Sequence, residues 1–243
     1  MQEPQTNGGA RTVRVMEDVL GENDRLAAEV GRVLAHKRVF CVNEMGGPGV
    51  GKTSALLGLI SRLTQLSPCV IEGDIESDLD TQTLRERGVP AWQINTFGAC
   101  HLDAPLVAEA VAGIDFATVR GEAGGCVLFI ENVGNLVCPA EFSIGEHAKM
   151  LVCSVTEGSD KPYKYPLAFE KADLILLNKV DLEPHLDFDE AFFMRGLRAL
   201  NPDAPVVRCS SKTGEGFGEA AAALERMASA VFFGAGSGPQ IGE

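Results

Sequence analysis

A glycine-rich segment near residue 50 stands between an apolar stretch and a helical stretch. It reads Gly46-Gly-Pro-Gly-Val-Gly-Lys52-Thr53 and fits the pattern GxxxxGK[ST]. The glycines let backbone N–H groups turn toward phosphate oxygens, and the N-terminus of the following helix adds partial positive charge. We expect Lys52 to contact the β- and γ-phosphates and the Thr53 hydroxyl to bind Mg²⁺. The predicted phosphate contacts are Gly47, Gly49, Val50, Gly51, Lys52, Thr53 and Ser54.

A second motif indicates which base the nucleotide carries. Asn178-Lys-Val-Asp181 follows an apolar stretch, and guanine-binding P-loop proteins carry NKxD at that place. The Asp181 carboxylate would accept from the N1 and N2 hydrogens of guanine, a pair of donors that adenine lacks. Alone, the motif would also fit a polar strand exit. A Ser-Ser-Lys segment after a later strand resembles the SAK element of guanine pockets, so the motifs together predict GTP. The predicted base contacts are Asn178, Lys179, Asp181, Ser210, Ser211 and Lys212.

Carboxylates at predicted strand ends are candidates for binding magnesium and orienting water, the two requirements of phosphoryl transfer. Asp74 ends an apolar stretch, and we expect it to bind Mg²⁺ or its water shell together with Thr53. Asp78 is a second catalytic candidate beside Lys52 and Asp74, although a plain helix N-cap is the alternative for it. In Glu131-Asn-Val-Gly134, which stands where many GTPases carry DxxG, the Gly134 amide would contact the γ-phosphate.

Three further residues have the chemistry of a softer metal site. Cys100 and His101 are adjacent, and Cys138 lies four residues beyond Gly134. Two thiolates and an imidazole suit Zn²⁺ or Ni²⁺. Spacing alone leaves the site open, because adjacent residues reach one ion only where the backbone turns. Three ligands also leave a tetrahedral shell incomplete unless water or another subunit contributes.

The elements that must position these residues alternate along the chain. Apolar positions at helical spacing predict an amphipathic helix over 16–35, and a further helix is expected over 54–66 after the glycine-rich segment. Apolar, β-branched runs predict strands at 39–43, 69–72, 127–130, 151–155, 174–177 and 206–209, with a short one at 92–94. This alternation predicts an α/β fold, a mostly parallel sheet with helices on both faces. We expect one domain over 16–230, with mobile ends at 1–15 and 231–243.

Composition and charge limit the partners and the location that we expect for this protein. The 243 residues carry 34 acidic and 21 basic side chains, a net charge of −13, which argues against nucleic acid and anionic lipid as partners. No apolar run approaches the roughly 20 residues of a membrane span. The first forty residues lack a signal-peptide pattern, so we expect a cytoplasmic protein. Seven cysteines without a CxxC pair are expected to stay reduced.

Several longer stretches resemble one family of proteins. They are residues 71–74, 93–96, 100–104, 131–139, 154–158, 160–162, 164–166 and 177–181. Over 16–230 the chain is similar to HypB, the nickel-incorporation GTPases of [NiFe]-hydrogenase maturation, which belong to the SIMIBI class of P-loop proteins. The resemblance implies a GTP-hydrolysing metallochaperone that dimerises when GTP is bound. It implies Zn²⁺ or Ni²⁺ at Cys100, His101 and Cys138 in the dimer interface, and it implies a HypA-type nickel chaperone and a hydrogenase precursor as partners.

The chain also departs from the family pattern. Many HypB proteins begin with a CxxCGC motif or a histidine-rich tract, whereas no cysteine precedes Cys41 here. The phosphate loop reads Gly46-Gly47 where Ser-Ser is frequent. His147 resembles a family position, but we expect a solvated helix residue there. Two other functions remain open: a related SIMIBI GTPase that serves another metalloenzyme, and a GTP-gated dimerisation module with a structural metal.

Overall fold

The protein is built on one parallel sheet, as the alternation of apolar strands and helical stretches predicts. The structure is a computed structural model, and it describes residues 8–74, 78–121 and 123–233. The strands are β1 (Val39–Gly46), β2 (Leu66–Asp74), β3 (Ala91–Asn95), β4 (Gly125–Glu131), β5 (Ala148–Ser154), β6 (Leu174–Asn178) and β7 (Val206–Arg208). Their order across the sheet is β3-β2-β4-β1-β5-β6-β7, and every pairing is parallel. The carboxyl ends of all seven strands therefore meet at one edge of the sheet.

Helices connect these strands. They are α1 (Gly8–His36), α2 (Lys52–Ile60), α3 (Leu79–Glu86), α4 (Ala104–Ala112), α5 (Phe116–Arg120), α6 (Cys138–Glu141), α7 (Lys161–Lys164), α8 (Pro166–Glu170), α9 (Glu190–Leu200) and α10 (Phe217–Phe233). Two 3₁₀ turns, Val155–Glu157 and Val180–His185, follow β5 and β6. In the described ranges, no helix has the length and apolar character needed to cross a membrane.

The sheet is covered on both faces because its strands are apolar on both faces. Val42 of β1 belongs to a buried cluster with Leu56 of α2 and Leu224 of α10. The preceding residue, Cys41, points to the opposite face and belongs to a cluster with Leu34 of α1. Helices α8 and α9 cover the other half of that second face, over β5 and β6. This two-sided burial is typical of parallel sheets.

Several predicted boundaries were wrong. The helix after the phosphate loop ends at Ile60, and Leu66 already pairs with Gly125 in the sheet. The helix cannot continue because a residue far away in the sequence holds the segment that follows it. The buried Glu225 carboxylate accepts from the backbone N–H groups of Thr64 and Gln65, both at 2.7 Å.

The structure has helices in part of each segment that the sequence predicted to be mobile. Helix α1 begins at Gly8, within the segment expected to be mobile, and α10 continues to Phe233. The remainders of the two predicted mobile ends, residues 1–7 and 234–243, lie outside the described residues.

Candidate functional site

The phosphate loop leaves the carboxyl end of β1, at the centre of the sheet, and leads directly into α2. Gly49 and Gly51 have φ values of 78° and 88°, in the left-handed region that favours glycine. Gly51 is the N-cap of α2, and its carbonyl accepts from Ala55 N–H at 2.8 Å. The first N–H groups of α2 are thus turned toward the loop, in the arrangement that binds phosphate. Lys52 and Thr53 occupy the first helical turn.

The predicted guanine motif lies against this loop. Asn178 Nδ2 donates to the Val50 carbonyl at 3.0 Å, and Lys179 Nζ donates to the Gly49 carbonyl at 2.6 Å. Lys179 itself has a positive φ of 61°, which turns the chain sharply at the end of β6. The predicted guanine motif and the phosphate loop are therefore joined by two hydrogen bonds.

The segment after β7 contacts the predicted guanine motif. Asn178 Oδ1 accepts from the N–H and the hydroxyl of Ser211, both at 3.2 Å. Ser210 is buried, and its hydroxyl donates to Asp181 Oδ1 at 2.6 Å, which orients that carboxylate. Lys212 N–H donates to the Ser210 hydroxyl at 3.3 Å. The structure thus brings together the residues that the sequence assigned to the base.

Three buried glutamates lie side by side beneath the phosphate loop. Glu131 of β4 is in register with Glu44 of β1 on one side and with Glu72 of β2 on the other. We call Glu44, Glu72 and Glu131 the glutamate row. Thr53 donates from its hydroxyl to Glu131 Oε1 at 3.0 Å, and Lys52 Nζ lies 4.0 Å from the same oxygen. The row therefore lies against the first turn of α2.

Burial is the largest cause of the raised pKa values in the glutamate row. It raises the pKa of Glu72 to about 8, and the charges of Glu131, Asp80 and Asp74 add to that shift. Burial likewise raises the pKa of Glu131 to about 7, while Lys52 and the hydrogen bond from Thr53 act in the opposite direction. The pKa of Glu44 is raised well above its ordinary value, first by burial and then by Glu131.

Asp80, on the first turn of α3, joins this acidic group. One ligand oxygen from each of Glu72, Asp80 and Glu131 lies within 4.8 Å of the others. Asp74 is half-buried at the end of β2, close enough for its charge to act on Glu72 and Glu131. Asp78 is exposed at the N-cap of α3, where its side chain makes no capping hydrogen bond. Sequence reasoning missed Glu44, Glu72 and Asp80; the signal for the two glutamates was an acidic residue inside an apolar strand.

The candidate ligands of the softer metal are also brought together. Cys100 Sγ lies 2.9 Å from Cys138 Sγ and 3.6 Å from His101 Nδ1. The adjacent pair can face one point because the chain turns just before it, with φ values of 50° at Phe97 and 93° at Gly98. Burial lowers the pKa of His101, which favours the neutral imidazole that binds metals. The Cys100 thiol raises the pKa of Cys138 through their hydrogen bond.

One short segment contacts both sites. Gly46 of the phosphate loop forms an isolated antiparallel bridge with Asn135, and the backbone of Gly134 lies against Pro48. Asn135 stands three residues before Cys138 in the chain, and its Nδ2 donates to the Cys100 carbonyl at 3.3 Å. Residues 131–138 therefore extend from Glu131, which contacts Thr53, to Cys138, a candidate metal ligand.

His147 is not the solvated helix residue that the sequence predicted. It is half-buried next to β5, and its Nδ1 accepts from the Cys41 N–H at 2.9 Å. The ring proton must therefore lie on Nε2, which donates to the Gly31 carbonyl at 3.1 Å. His147 joins α1 to the sheet and lies apart from the three metal-ligand candidates.

Comparisons with known proteins agree with this arrangement. Residues 42–208 match the family model "CobW/HypB/UreG, nucleotide-binding domain". Hydrogenase maturation factor HypB of Azotobacter vinelandii is 50% identical over 219 residues, which cover 90% of this chain and 70% of that protein. The factor of the same name from Escherichia coli K12 is 44% identical over 207 residues, covering 85% and 69%.

Two solved structures are similar as well. HypB from Helicobacter pylori in complex with nickel has a TM-score of 0.79 and 32% identity, covering 89% of this chain and 100% of that one. Hydrogenase maturation factor HypB from Archaeoglobus fulgidus has a TM-score of 0.76 and 34% identity, covering 86% and 100%. With its phosphate loop, its parallel sheet and relatives at this level of identity, the chain belongs to the HypB family of P-loop proteins.

Proposed function

We propose that this protein is a Mg²⁺-dependent GTPase that helps to insert nickel into a [NiFe]-hydrogenase precursor. Its relatives are named hydrogenase maturation factors, and a similar structure from Helicobacter pylori contains nickel. The observation that carries the proposal is the segment 131–138, which contacts the phosphate loop at one end and the Cys/His cluster at the other. A change in the nucleotide can therefore move a metal ligand.

Guanine recognition is assigned to Asp181. Its carboxylate is oriented by Ser210, and Asn178 and Lys179 hold its loop against the phosphate loop. A carboxylate accepts from the two N–H groups on one edge of guanine, whereas the corresponding edge of adenine does not offer both donors. The pocket therefore favours GTP over ATP.

The acidic residues near α2 fit a magnesium ion. Oε2 of Glu72 and Oε2 of Glu131 are buried and have no hydrogen-bond partner among the described residues, and carboxylate oxygens are the ligands that Mg²⁺ prefers. When bound, the ion would neutralise charge on the β- and γ-phosphates. We assign its binding to Thr53 and Glu131, with Asp74 acting on its water shell.

Hydrolysis also needs residues that stabilise charge and orient water. Lys52, at the first turn of α2, is placed to stabilise the charge that develops on the leaving phosphate. We assign to the exposed Asp80, whose carboxylate lies near Glu72 and Glu131, the role of accepting a hydrogen bond from the attacking water. The Gly134 N–H would distinguish GTP from GDP through the γ-phosphate.

The cargo site is assigned to Cys100, His101 and Cys138. Their ligand atoms lie within 4.8 Å of one another, which suits one Ni²⁺ or Zn²⁺ ion. Three protein ligands leave a position that a second copy, a HypA-type chaperone or the hydrogenase precursor can fill. Phe97 and Val137, 90% and 50% exposed beside the cluster, provide apolar surface for such a partner, and we propose a homodimer.

Nucleotide turnover tests this function directly. Purified protein with Mg²⁺ should hydrolyse GTP slowly and ATP far more slowly, since no arginine finger is assigned in the described residues. Lys52→Ala serves as the control and should abolish turnover. Equal rates with GTP and ATP, or GTP turnover that survives in Lys52→Ala, would contradict the proposal.

A further inference from the structure

One buried amide interrupts the apolar face of α1. Ala27, Val30 and Leu34 are buried at helical spacing, and Asn23 continues that spacing one turn earlier in the helix. Asn23 is only 6% exposed, at a position where packing alone favours an apolar side chain. A buried amide destabilises the fold unless its N–H and C=O groups are hydrogen-bonded. The partners of this amide therefore indicate its role.

The two polar atoms of the Asn23 amide bind two different loops. Its Oδ1 accepts from the Ala104 N–H at 2.9 Å, and its Nδ2 donates to the Ser143 carbonyl at 2.8 Å. Ala104 is the first residue of α4, so its N–H has no partner within that helix. The side chain must both accept from an N–H and donate to a carbonyl, which an amide does and a carboxylate or an apolar group does not.

Both loops lead to the Cys/His cluster. The first contact of Asn23 lies three residues after His101 in the chain. The second contact, at Ser143, directly follows Phe142, whose ring centre lies 4.0 Å from that of His101. The Phe142 N–H in turn donates to the Cys138 carbonyl at 3.3 Å. Asn23 therefore joins the loop that carries His101 to the segment that follows Cys138.

A second buried amide holds the same loop from another element. Asn132 lies in segment 131–138, and its Oδ1 accepts from the Leu102 N–H at 3.1 Å. The backbone after His101 is thus held by α1 on one side and by the segment that contacts the phosphate loop on the other. Helix α1 itself contributes no candidate ligand, so its part in the cluster is to place residues that other elements supply.

We infer that Asn23 is a positioning residue of the metal site, through which α1 sets the separation of His101 and Cys138. The inference rests on the proposed function, because it requires the cargo ion to bind at the Cys/His cluster. Without the amide, the two loops lose their common partner and gain freedom that metal binding must then remove. Metal affinity should therefore fall although every ligand is still present.

Ni²⁺ titration of Asn23→Ala tests this role, and we expect the affinity to fall about tenfold relative to the wild type. Asn201→Ala is the matched control. Asn201 is a half-buried amide that also accepts from one N–H, of Ala204 at 3.1 Å, and donates to a carbonyl, of Ala172 at 2.8 Å. Neither of those segments carries a candidate ligand, so Asn201→Ala should bind Ni²⁺ like the wild type. Urea unfolding of both variants measures the stability that each loses.

Co²⁺ absorption separates a displaced ligand from a general loss of stability. The d–d bands of Co²⁺ bound by thiolates and imidazole depend on the number and geometry of the ligands. These bands should change in position or intensity in Asn23→Ala. In Asn201→Ala they should match those of the wild type, whatever stability that variant has lost.

Two results would overturn the inference. One is wild-type Ni²⁺ affinity and wild-type Co²⁺ bands in Asn23→Ala; the other is an equal loss of Ni²⁺ affinity in Asn23→Ala and Asn201→Ala. Titration of Cys138→Ala alongside separates this failure from that of the proposed function. If Cys138→Ala weakens Ni²⁺ binding and Asn23→Ala does not, the inference fails and the cargo site stands. If neither variant weakens it, the cargo assignment fails as well.

Discussion

Asn135 joins the two sites of this protein: its backbone forms a bridge with Gly46 of the phosphate loop, and its side chain donates to the Cys100 carbonyl at 3.3 Å. Its Oδ1 also accepts from Val137 N–H at 3.0 Å, which shapes the turn that leads to Cys138. Asn135 therefore connects the loops that carry Cys100 and Cys138 to the phosphate loop, through its backbone on one side and its half-buried side chain on the other.

Replacing Asn135 should uncouple the sites without unfolding the protein. Asn135→Asp keeps the acceptor for Val137 N–H but removes the donor to Cys100, so nucleotide exchange should affect Ni²⁺ affinity less than in the wild type. Ni²⁺ titration with GDP and with a nonhydrolysable GTP analogue measures this difference. The loss of stability should stay near 1 kcal/mol, the scale of one partly exposed hydrogen bond. An unchanged nucleotide effect would show that the link runs elsewhere.

Asp181→Asn should change the preferred base. The amide replaces a pure acceptor by a group with one acceptor and two donors, which no longer matches both guanine N–H groups. We expect GTP affinity to fall on the order of 100-fold, and xanthosine triphosphate, which has a carbonyl at the 2-position, to bind better than GTP. Competition binding with both nucleotides measures the change. Undiminished GTP affinity would contradict the assigned role of Asp181.

Cys138→Ala should weaken metal binding while sparing the nucleotide. Loss of one of three protein ligands should reduce Ni²⁺ or Zn²⁺ affinity by more than about tenfold, while GDP affinity stays nearly unchanged. Phe97→Ala is the control, because Phe97 is 90% exposed beside the cluster and offers no ligand. If Cys138→Ala and Phe97→Ala titrate alike with Ni²⁺, Cys138 is not a ligand.

His147 should make stability depend on pH. Burial lowers its pKa in the folded state, so the unfolded chain binds the proton first as the pH falls below about 6.5. The contribution of His147 is therefore fully present above that pH and is lost as the pH falls toward the folded-state pKa. Urea unfolding between about pH 5 and pH 8 should show a shallower decline for His147→Gln than for the wild type.

The control for this pH effect is His185→Gln. His185 is an exposed histidine in the turn after β6. His185→Gln removes a histidine but leaves the hydrogen bonds of His147 to Cys41 and Gly31 in place, so the decline assigned to His147 should persist. Identical profiles for His147→Gln and the wild type would contradict the assignment.

The sequence predicted the fold because the strands are apolar runs separated by helical patterns, the arrangement that a buried parallel sheet requires. The candidate nucleotide contacts could also be assigned from the sequence, since each motif is contiguous and lies directly after a strand. The end of α2 at Ile60 was missed because it depends on Glu225, a residue far away in the chain. Local patterns carry no information about such contacts.

The acidic group was harder to predict for the same reason. Glu44, Glu72 and Glu131 become neighbours only through the strand order β2-β4-β1 and its register, neither of which follows from spacing along the chain. Asp78 and Asp80 both follow β2, and the orientation of α3 decides that Asp80 joins the group. By contrast, the chemistry of Cys100, His101 and Cys138 suggested a metal site and the family resemblance strengthened that prediction; the structure places their ligand atoms within 4.8 Å of one another.

Ni²⁺ affinity in the two nucleotide states tests most directly whether the guanine and metal sites act together. Calorimetric titration of the wild-type protein with Ni²⁺ should be carried out once with GDP bound and once with a nonhydrolysable GTP analogue. Coupling through residues 131–138 predicts dissociation constants that differ by about fivefold or more. Identical dissociation constants in the two nucleotide states would contradict nucleotide-controlled metal delivery by this protein.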